Sequence, residues 1–173
     1  EDEEQTDGIG ATKAIEYLDE FAKNGENFFL AVGMYRPHTP YVAPKKYFDL
    51  YKRDDIEIDE SSDEYLATLP LSAVKSIRAK KNQINLDTEL AKEIKEAYYA
   101  TTSFVDAQVG RILKKLKESG LEENTLVVFT SDHGYHLGEH GHWQKQTLFE
   151  NATKVPLIFS GAGVNSKVKE SFC

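Results

Sequence analysis

The sequence predicts an α/β fold, in which helices and strands alternate along the chain. Three observations predict it: an apolar stripe at helical spacing from Leu90 to Leu116, apolar runs of strand length at residues 28–32, 126–129 and 155–159, and irregular loops between these elements. The chain is long enough to bury one core, because 40% of its 173 residues are hydrophobic. We therefore expect a single globular unit.

The first helix is predicted from Thr12, where apolar residues begin to recur at helical spacing. Asn24 and Gly25 stop this pattern, since glycine commonly ends a helix in the left-handed conformation. The residues before it, 1–11, open with an acidic run and are expected to be disordered.

The segment 52–85 has high charge and weak periodicity. It predicts an extended insertion with short helical turns. The long helix that follows is expected to begin with Thr88 as its N-cap and to end at Gly120. Lysines near its C-terminus suit the helix dipole.

Composition excludes several classes of function. A net charge of -8 argues against a nucleic-acid-binding protein, which would normally present a basic face. No apolar run has the length of a membrane span. The single cysteine, Cys173, excludes an internal disulfide and a cysteine-based zinc cluster.

Two loops that follow predicted strands carry the residues most suited to chemistry. Asp132 comes shortly after the run at 126–129, and ligands of open α/β sheets bind beyond the carboxyl ends of strands. The five histidines of the chain all lie in these loops: His38, His133, His136, His140 and His142. This confinement predicts a shared pocket, although a polar turn capped by the aspartate is the alternative.

The residue types in these loops suit an anionic ester. Asp132 and a neutral His133 are ligands for a divalent ion, and the carboxylate favours a hard metal. His38 and Lys145 can supply hydrogen bonds and positive charge to an oxyanion. The sequence therefore predicts a site for a sulfate or phosphate ester.

Four segments of the chain occur in the order in which one enzyme family has them: 28–40, 131–134, 137–141 and 155–159. They resemble motifs of the type I, formylglycine-dependent sulfatases in the alkaline phosphatase superfamily, and within them the iduronate-2-sulfatase branch. His133 fits that branch, since many other sulfatases have asparagine at this position. The segment 52–85 resembles the family least.

The resemblance implies a partial sulfatase sandwich of the alkaline-phosphatase type, with a mostly parallel sheet flanked by helices. Residues 1–173 would be one partial catalytic domain, without the N-terminal segment that bears the nucleophile and without the C-terminal subdomain. It also implies site roles, with Asp132 and His133 as calcium ligands and His38 and Lys145 as catalytic residues that hold the sulfate. Tyr135 would contact the substrate.

The resemblance also implies cofactors and partners. Formylglycine is expected in the missing N-terminal segment, since no Cys or Ser here begins the Cys/Ser-x-Pro-x-Arg motif. The Ca²⁺ site would be incomplete and the isolated chain inactive, because calcium takes about six to eight oxygen ligands. We expect a sulfated saccharide or other sulfate ester as substrate, association through an exposed sheet edge, and a periplasmic, secreted or lysosomal parent.

Two alternatives stay open at this stage. One is a phosphodiesterase or phosphonate hydrolase of the same superfamily, which a threonine nucleophile would favour. The other is a non-catalytic sugar- or metal-binding module, which loss of the modification motif would favour.

Overall fold

The computed structural model describes residues 1–59, 61–79 and 81–165, so Cys173 lies outside the described residues. The helices are α1 (Thr6–Asn24), α2 (Lys45–Phe48), α3 (Asp63–Ala67), α4 (Leu71–Arg78), α5 (Thr88–Glu118) and α6 (Glu150–Thr153). The strands are β1 (Leu126–Thr130), β2 (His136–Leu137), β3 (Trp143–Gln144) and β4 (Leu157–Gly161). In the described ranges, no helix combines the length and apolar character that crossing a membrane requires.

The long helices α1 and α5 pack against each other, and α2 packs on α5. Tyr47 of α2 meets Phe104 of α5 edge to face in the buried core, with ring centroids 5.5 Å apart. Gly25 and Gly120 have φ of 67° and 71° and end the two helices as predicted. The N-cap of α5 is Asp87 rather than the predicted Thr88, because its carboxylate accepts hydrogen bonds from the first-turn backbone.

The prediction that residues 1–11 are disordered is wrong. A 3₁₀ turn precedes α1, which begins at Thr6, and Asp2 is buried beneath it. Its carboxylate accepts hydrogen bonds from Tyr47 (2.6 Å) and Gln108 (3.2 Å) and pairs with Lys46 (2.7 Å). The acidic start is therefore ordered because one of its carboxylates finds buried partners.

Strands β1 and β4 pair antiparallel, with Val128 opposite Phe159, and β2 pairs antiparallel with β3. The predicted parallel pairing is therefore wrong for these strands, although the α/β composition is as predicted. The physical reason is the connection: between β1 and β4 the chain runs through the short β2–β3 pair and the one-turn helix α6, without the long helical crossover that parallel neighbours need. The side chains of β4 are exposed on both faces.

The predicted strand at 28–32 does not form. Phe28 stacks on Phe21 of α1 at 4.7 Å, whereas the side chain of Phe29 is 95% exposed. The apolar run has a partner on one side only, and successive residues of an extended segment point to opposite sides. Apolar composition alone therefore overpredicts both the strand and its burial.

The segment 52–85 contains helices α3 and α4 with short 3₁₀ turns, which agrees with the predicted short helical turns. Ser62 caps α3 by accepting a hydrogen bond from Tyr65 (3.1 Å). At its end, Asn85 donates its backbone N–H to Gly141 (3.0 Å), so this segment braces the loop that follows β1.

Candidate functional site

The first loop, residues 35–42, is held by a buried carboxylate on α1. Asp7 accepts hydrogen bonds from the backbone N–H groups of Tyr35 (2.7 Å) and Arg36 (2.9 Å). The Arg36 guanidinium then folds back and donates to the carbonyls of Val42 (3.1 Å) and His38 (3.1 Å). Both charged groups thus fix the backbone of the loop.

His38 is exposed within this loop. Its Nδ1 lies 2.8 Å from the carbonyl oxygen of Thr39, and its ring lies 5.2 Å from that of Tyr35. A carbonyl only accepts, so Nδ1 carries the proton in this contact, and Nε2 of the neutral ring is an acceptor. His38 is therefore held at the surface in a defined tautomer.

The second loop, residues 131–147, brings Asp132, His133 and Lys145 together. The His133 backbone N–H donates to Asp132 (3.0 Å), and the His133 Nε2 lies 3.6 Å from the same carboxylate. Lys145 donates from Nζ to His133 Nε2 at 3.1 Å, while His133 Nδ1 contacts the Gly134 carbonyl at 2.7 Å. One carboxylate, one imidazole and one ammonium thus occupy the same surface.

The backbone around Lys145 is strained. Gln144 and Gln146 have φ of 77° and 75°, in the left-handed region that non-glycine residues seldom adopt. Each such residue costs on the order of 1–2 kcal/mol, and strain of this kind clusters at functional sites. Lys145 is therefore presented on a constrained turn.

Asp132 is suited to remain ionised. Burial is the largest single influence and raises its pKa, but the electrostatic effect of His133 and hydrogen bonds from the Asp132 and His133 backbone and the Ser131 hydroxyl together lower the pKa overall. The side chain is 86% exposed, so it is open to a cation or another ligand.

The two loops meet through a pair of tyrosines. The hydroxyls of Tyr41 and Tyr135 lie 2.6 Å apart, although the residues are 94 positions apart in sequence. Both rings pack against Tyr98 of α5, at 5.9 Å for Tyr41 and 5.1 Å for Tyr135. The predicted convergence of the loops is therefore present, while direct cooperation of His38 with Lys145 stays a prediction.

The sequence of the chain matches a known family. The family model described as Sulfatase matches residues 3–172. This chain belongs to the sulfatase family. The predicted family is thereby confirmed, and with it the α/β fold of that family.

Individual sulfatase relatives cover most of this chain. A protein named sulfatase from Formosa agariphila is 42% identical over 153 residues, which is 83% of this chain and 29% of the relative. Iduronate 2-sulfatase from Homo sapiens is 34% identical over 170 residues, which is 92% of this chain and 31% of the relative. The chain thus spans less than a third of the length of these sulfatases.

A solved structure extends the likeness to the fold. The phosphonate monoester hydrolase of Silicibacter pomeroyi superposes with a TM-score of 0.81 at 24% identity, over 95% of this chain and 34% of that protein. The sulfatase motifs of this chain therefore lie on a fold shared with hydrolases of phosphorus esters.

Calcium binding by Asp132 and His133 stays a prediction. Asp132 can offer carboxylate oxygens, but both ring nitrogens of His133 are engaged by Lys145 and Gly134. Within the described ranges, no three His, Cys, Asp or Glu side chains converge in a way that could hold a metal ion. Calcium takes about six to eight ligands, so this set does not fit the ion by itself.

The other three histidines of the second loop cluster together, with His136 and His142 buried and His140 partly exposed. His136 lies 4.9 Å from His142 and 6.1 Å from His140, measured between ring centroids. Thr147 lies 2.8 Å from His136 Nε2, and the Tyr65 hydroxyl lies 2.6 Å from His140 Nδ1. These contacts indicate that the three rings pack against one another and against neighbouring side chains.

Replacing His136 with glutamine is expected to reduce the acid sensitivity of the fold. The pKa of His136 is lowered to about 4. Burial is the main cause, followed by His142, with a smaller contribution from His140; Glu139 acts in the opposite direction. The folded chain keeps this ring neutral, whereas the unfolded chain binds a proton below about pH 6.5. The stability is therefore present above about pH 6.5 and lost as the pH falls towards 4.

Urea unfolding at about pH 7 and about pH 4.5 measures this effect. Wild type should lose about 2 kcal/mol more than His136→Gln between the two values. The exposed His38→Gln is the matched control and should behave as wild type. Equal losses in wild type and His136→Gln would show that His136 does not couple folding to protons.

Sequence reasoning missed the residues that position the loops. Asp7 lies in a helix without a distinguishing motif, and Tyr41 and Tyr98 are three-dimensional neighbours of Tyr135 that no spacing rule connects. Positive φ at Gln144 and Gln146 also has no signal in residue type. Prolines 37 and 40 restrict the backbone of the first loop, but residue type does not reveal that Asp7 anchors it.

Proposed function

We propose that the full-length protein that contains this chain hydrolyses sulfate esters, with sulfated sugars as the substrate class. The observation that carries this proposal is the contact of Lys145 with His133, beside Asp132, on a strained turn. Membership of the sulfatase family supports the reaction class, and the likeness to a human iduronate 2-sulfatase supports a sugar substrate.

Each loop contributes a group suited to the sulfate. The Lys145 ammonium would hold a sulfate oxygen from the second loop. From the first loop, a protonated His38 would donate from Nε2 to an ester oxygen, since Nδ1 faces the Thr39 carbonyl. Such preorganised charges stabilise the negative charge that develops in the transition state. Tyr135 was predicted to contact the sugar, but its hydroxyl is already engaged by Tyr41, so we assign the contact to neighbouring groups.

Two further groups belong to the proposal. Asp132 would give carboxylate oxygens to a calcium ion completed by residues beyond this chain, with His133 beside it; a bound calcium would neutralise charge on the ester. The nucleophile would be a formylglycine, as the resemblance to formylglycine-dependent sulfatases implies, and it would lie outside these 173 residues, which contain no Cys/Ser-x-Pro-x-Arg motif. The 173-residue chain alone should then be inactive, and we expect the parent to be exported like other sulfatases of this kind.

Turnover of a chromogenic aryl sulfate by the full-length protein, matured for formylglycine, tests the proposal. We expect hydrolysis that is abolished by chelation and restored by calcium, and no hydrolysis by the 173-residue chain. A panel of a sulfated monosaccharide, a phosphodiester and a phosphonate monoester ranks the substrate classes by kcat/KM. A higher kcat/KM for the phosphonate would favour phosphonate monoester hydrolysis, the reaction in the name of the Silicibacter pomeroyi protein. No activity on any of these substrates would favour a non-catalytic binding module.

A further inference from the structure

We propose that Tyr41, Tyr98 and Tyr135 form a clasp that positions the first loop against the second, so that Tyr41 and Tyr135 are positioning residues for the reaction. The inference rests on the proposed sulfatase function. It replaces a direct substrate contact of Tyr135 with a role exerted through His38 on one side and through His133 and Lys145 on the other.

The contacts of the clasp cross from one loop to the other. The 2.6 Å hydroxyl pair of Tyr41 and Tyr135 joins the loops directly, and Tyr98 on α5 packs against both rings. Tyr98 thus gives both rings a fixed packing surface, because it lies within the 31-residue helix α5. His38 is three residues before Tyr41, and His133 is two residues before Tyr135. Moving either ring would therefore move a predicted site residue.

The protonation of the clasp suits a neutral hydrogen bond. Burial is the main cause of the raised pKa of all three tyrosines, and it takes the pKa of Tyr98 to about 12. The phenols therefore stay protonated at neutral pH, and one hydroxyl donates to the other. A partly buried hydroxyl that loses its partner is left with an uncompensated polar atom.

The backbone on the other side of Tyr135 is also fixed. Gly134 donates its N–H to the carbonyl of Ala152 in α6 at 2.8 Å. The segment from His133 to Tyr135 is thus held on one side by α6 and on the other by Tyr41. The Tyr41–Tyr135 contact is the direct hydrogen bond from this segment to the first loop.

A double-mutant cycle in the matured full-length protein tests the clasp. Tyr41→Phe and Tyr135→Phe each remove one hydroxyl and keep the ring. Each should lower kcat by about three- to tenfold with KM nearly unchanged, because one neutral hydrogen bond between the loops is lost. The double variant should be no worse than either single variant, since all three lack the same bond.

Tyr51→Phe is the matched control. The Tyr51 hydroxyl lies 2.6 Å from that of Ser103 on α5. Tyr51→Phe therefore also removes one hydroxyl–hydroxyl hydrogen bond, but one that lies outside both loops. Its kcat should equal that of wild type. A raised KM in Tyr135→Phe with wild-type kinetics in Tyr41→Phe would overturn the clasp and restore a direct substrate contact. Wild-type kcat in both single variants, or additive losses in the double variant, would also overturn it.

Amide hydrogen exchange separates failure of the clasp from failure of the proposed function. If the wild-type protein hydrolyses no sulfate ester, the function is wrong, and exchange alone decides the clasp. Tyr41→Phe should then speed exchange in the second loop, and Tyr135→Phe should speed it in the first, each by about three- to tenfold. Changes confined to the loop that carries the substitution would overturn the clasp.

Discussion

Replacing Lys145 with alanine in the full-length protein is expected to lower kcat for an aryl sulfate by about 100- to 1,000-fold. The ammonium lies 3.1 Å from His133 on a turn whose flanking residues, Gln144 and Gln146, adopt left-handed backbone. Such a turn holds the charge in place before substrate arrives, so its loss should be felt in turnover rather than in folding. Steady-state kinetics measures the change, and calcium affinity is measured by calorimetry.

Calcium affinity separates Lys145 from Asp132. Lys145→Ala should bind calcium as tightly as wild type, because the ammonium is not a metal ligand. Asp132→Ala should lose affinity and activity together, since it removes an exposed, ionised carboxylate. Lys154→Ala removes an exposed lysine between α6 and β4 and should leave both quantities unchanged. Equal losses of calcium affinity in Lys145→Ala and Asp132→Ala would contradict the separate roles.

The sequence predicts the parts of this molecule that depend on local patterns. Helix α5 spans 31 residues and Gly120 follows its end, so both the helix and its end follow from the apolar spacing between Leu90 and Leu116 and from residue type. The histidines also mark the two loops that meet through Tyr41 and Tyr135, and His133 among them lies beside Asp132 and Lys145. The strand-end argument holds for the second loop, which follows β1, but not for the first, because residues 28–32 form no strand.

Features set by distant contacts are not predicted. The order of residues 1–11 depends on Asp2 meeting Tyr47 and Gln108, the latter 106 positions away. The direction of strand pairing depends on the path between β1 and β4, which apolar runs do not encode. The meeting of the two loops depends on Tyr41 and Tyr135; the resemblance implied a substrate contact for Tyr135, and the sequence indicated no role for Tyr41.

Replacing Gly134 with alanine is expected to destabilise the fold by about 2–4 kcal/mol. A Cβ at this position would lie 2.1 Å from the carbonyl oxygen of Asn151 in α6. Because the obstacle is backbone, no side chain can rotate away, and the hydrogen bond from Gly134 to Ala152 would have to lengthen. Urea unfolding of the 173-residue chain measures the loss.

Gly110→Ala is the matched control with the opposite sign. Gly110 is an exposed helical position in α5, and a Cβ there meets no atom within 4 Å. Alanine should therefore stabilise the chain by about 0.5–1 kcal/mol, through its higher helix propensity. In the full-length protein Gly134→Ala should also lower turnover, since Gly134 joins His133 to Tyr135. If Gly134→Ala unfolds at the same urea midpoint as wild type, the segment from His133 to Tyr135 does not pack closely on α6. Contacts other than those with α6 would then have to hold the backbone of His133 and Tyr135 in place.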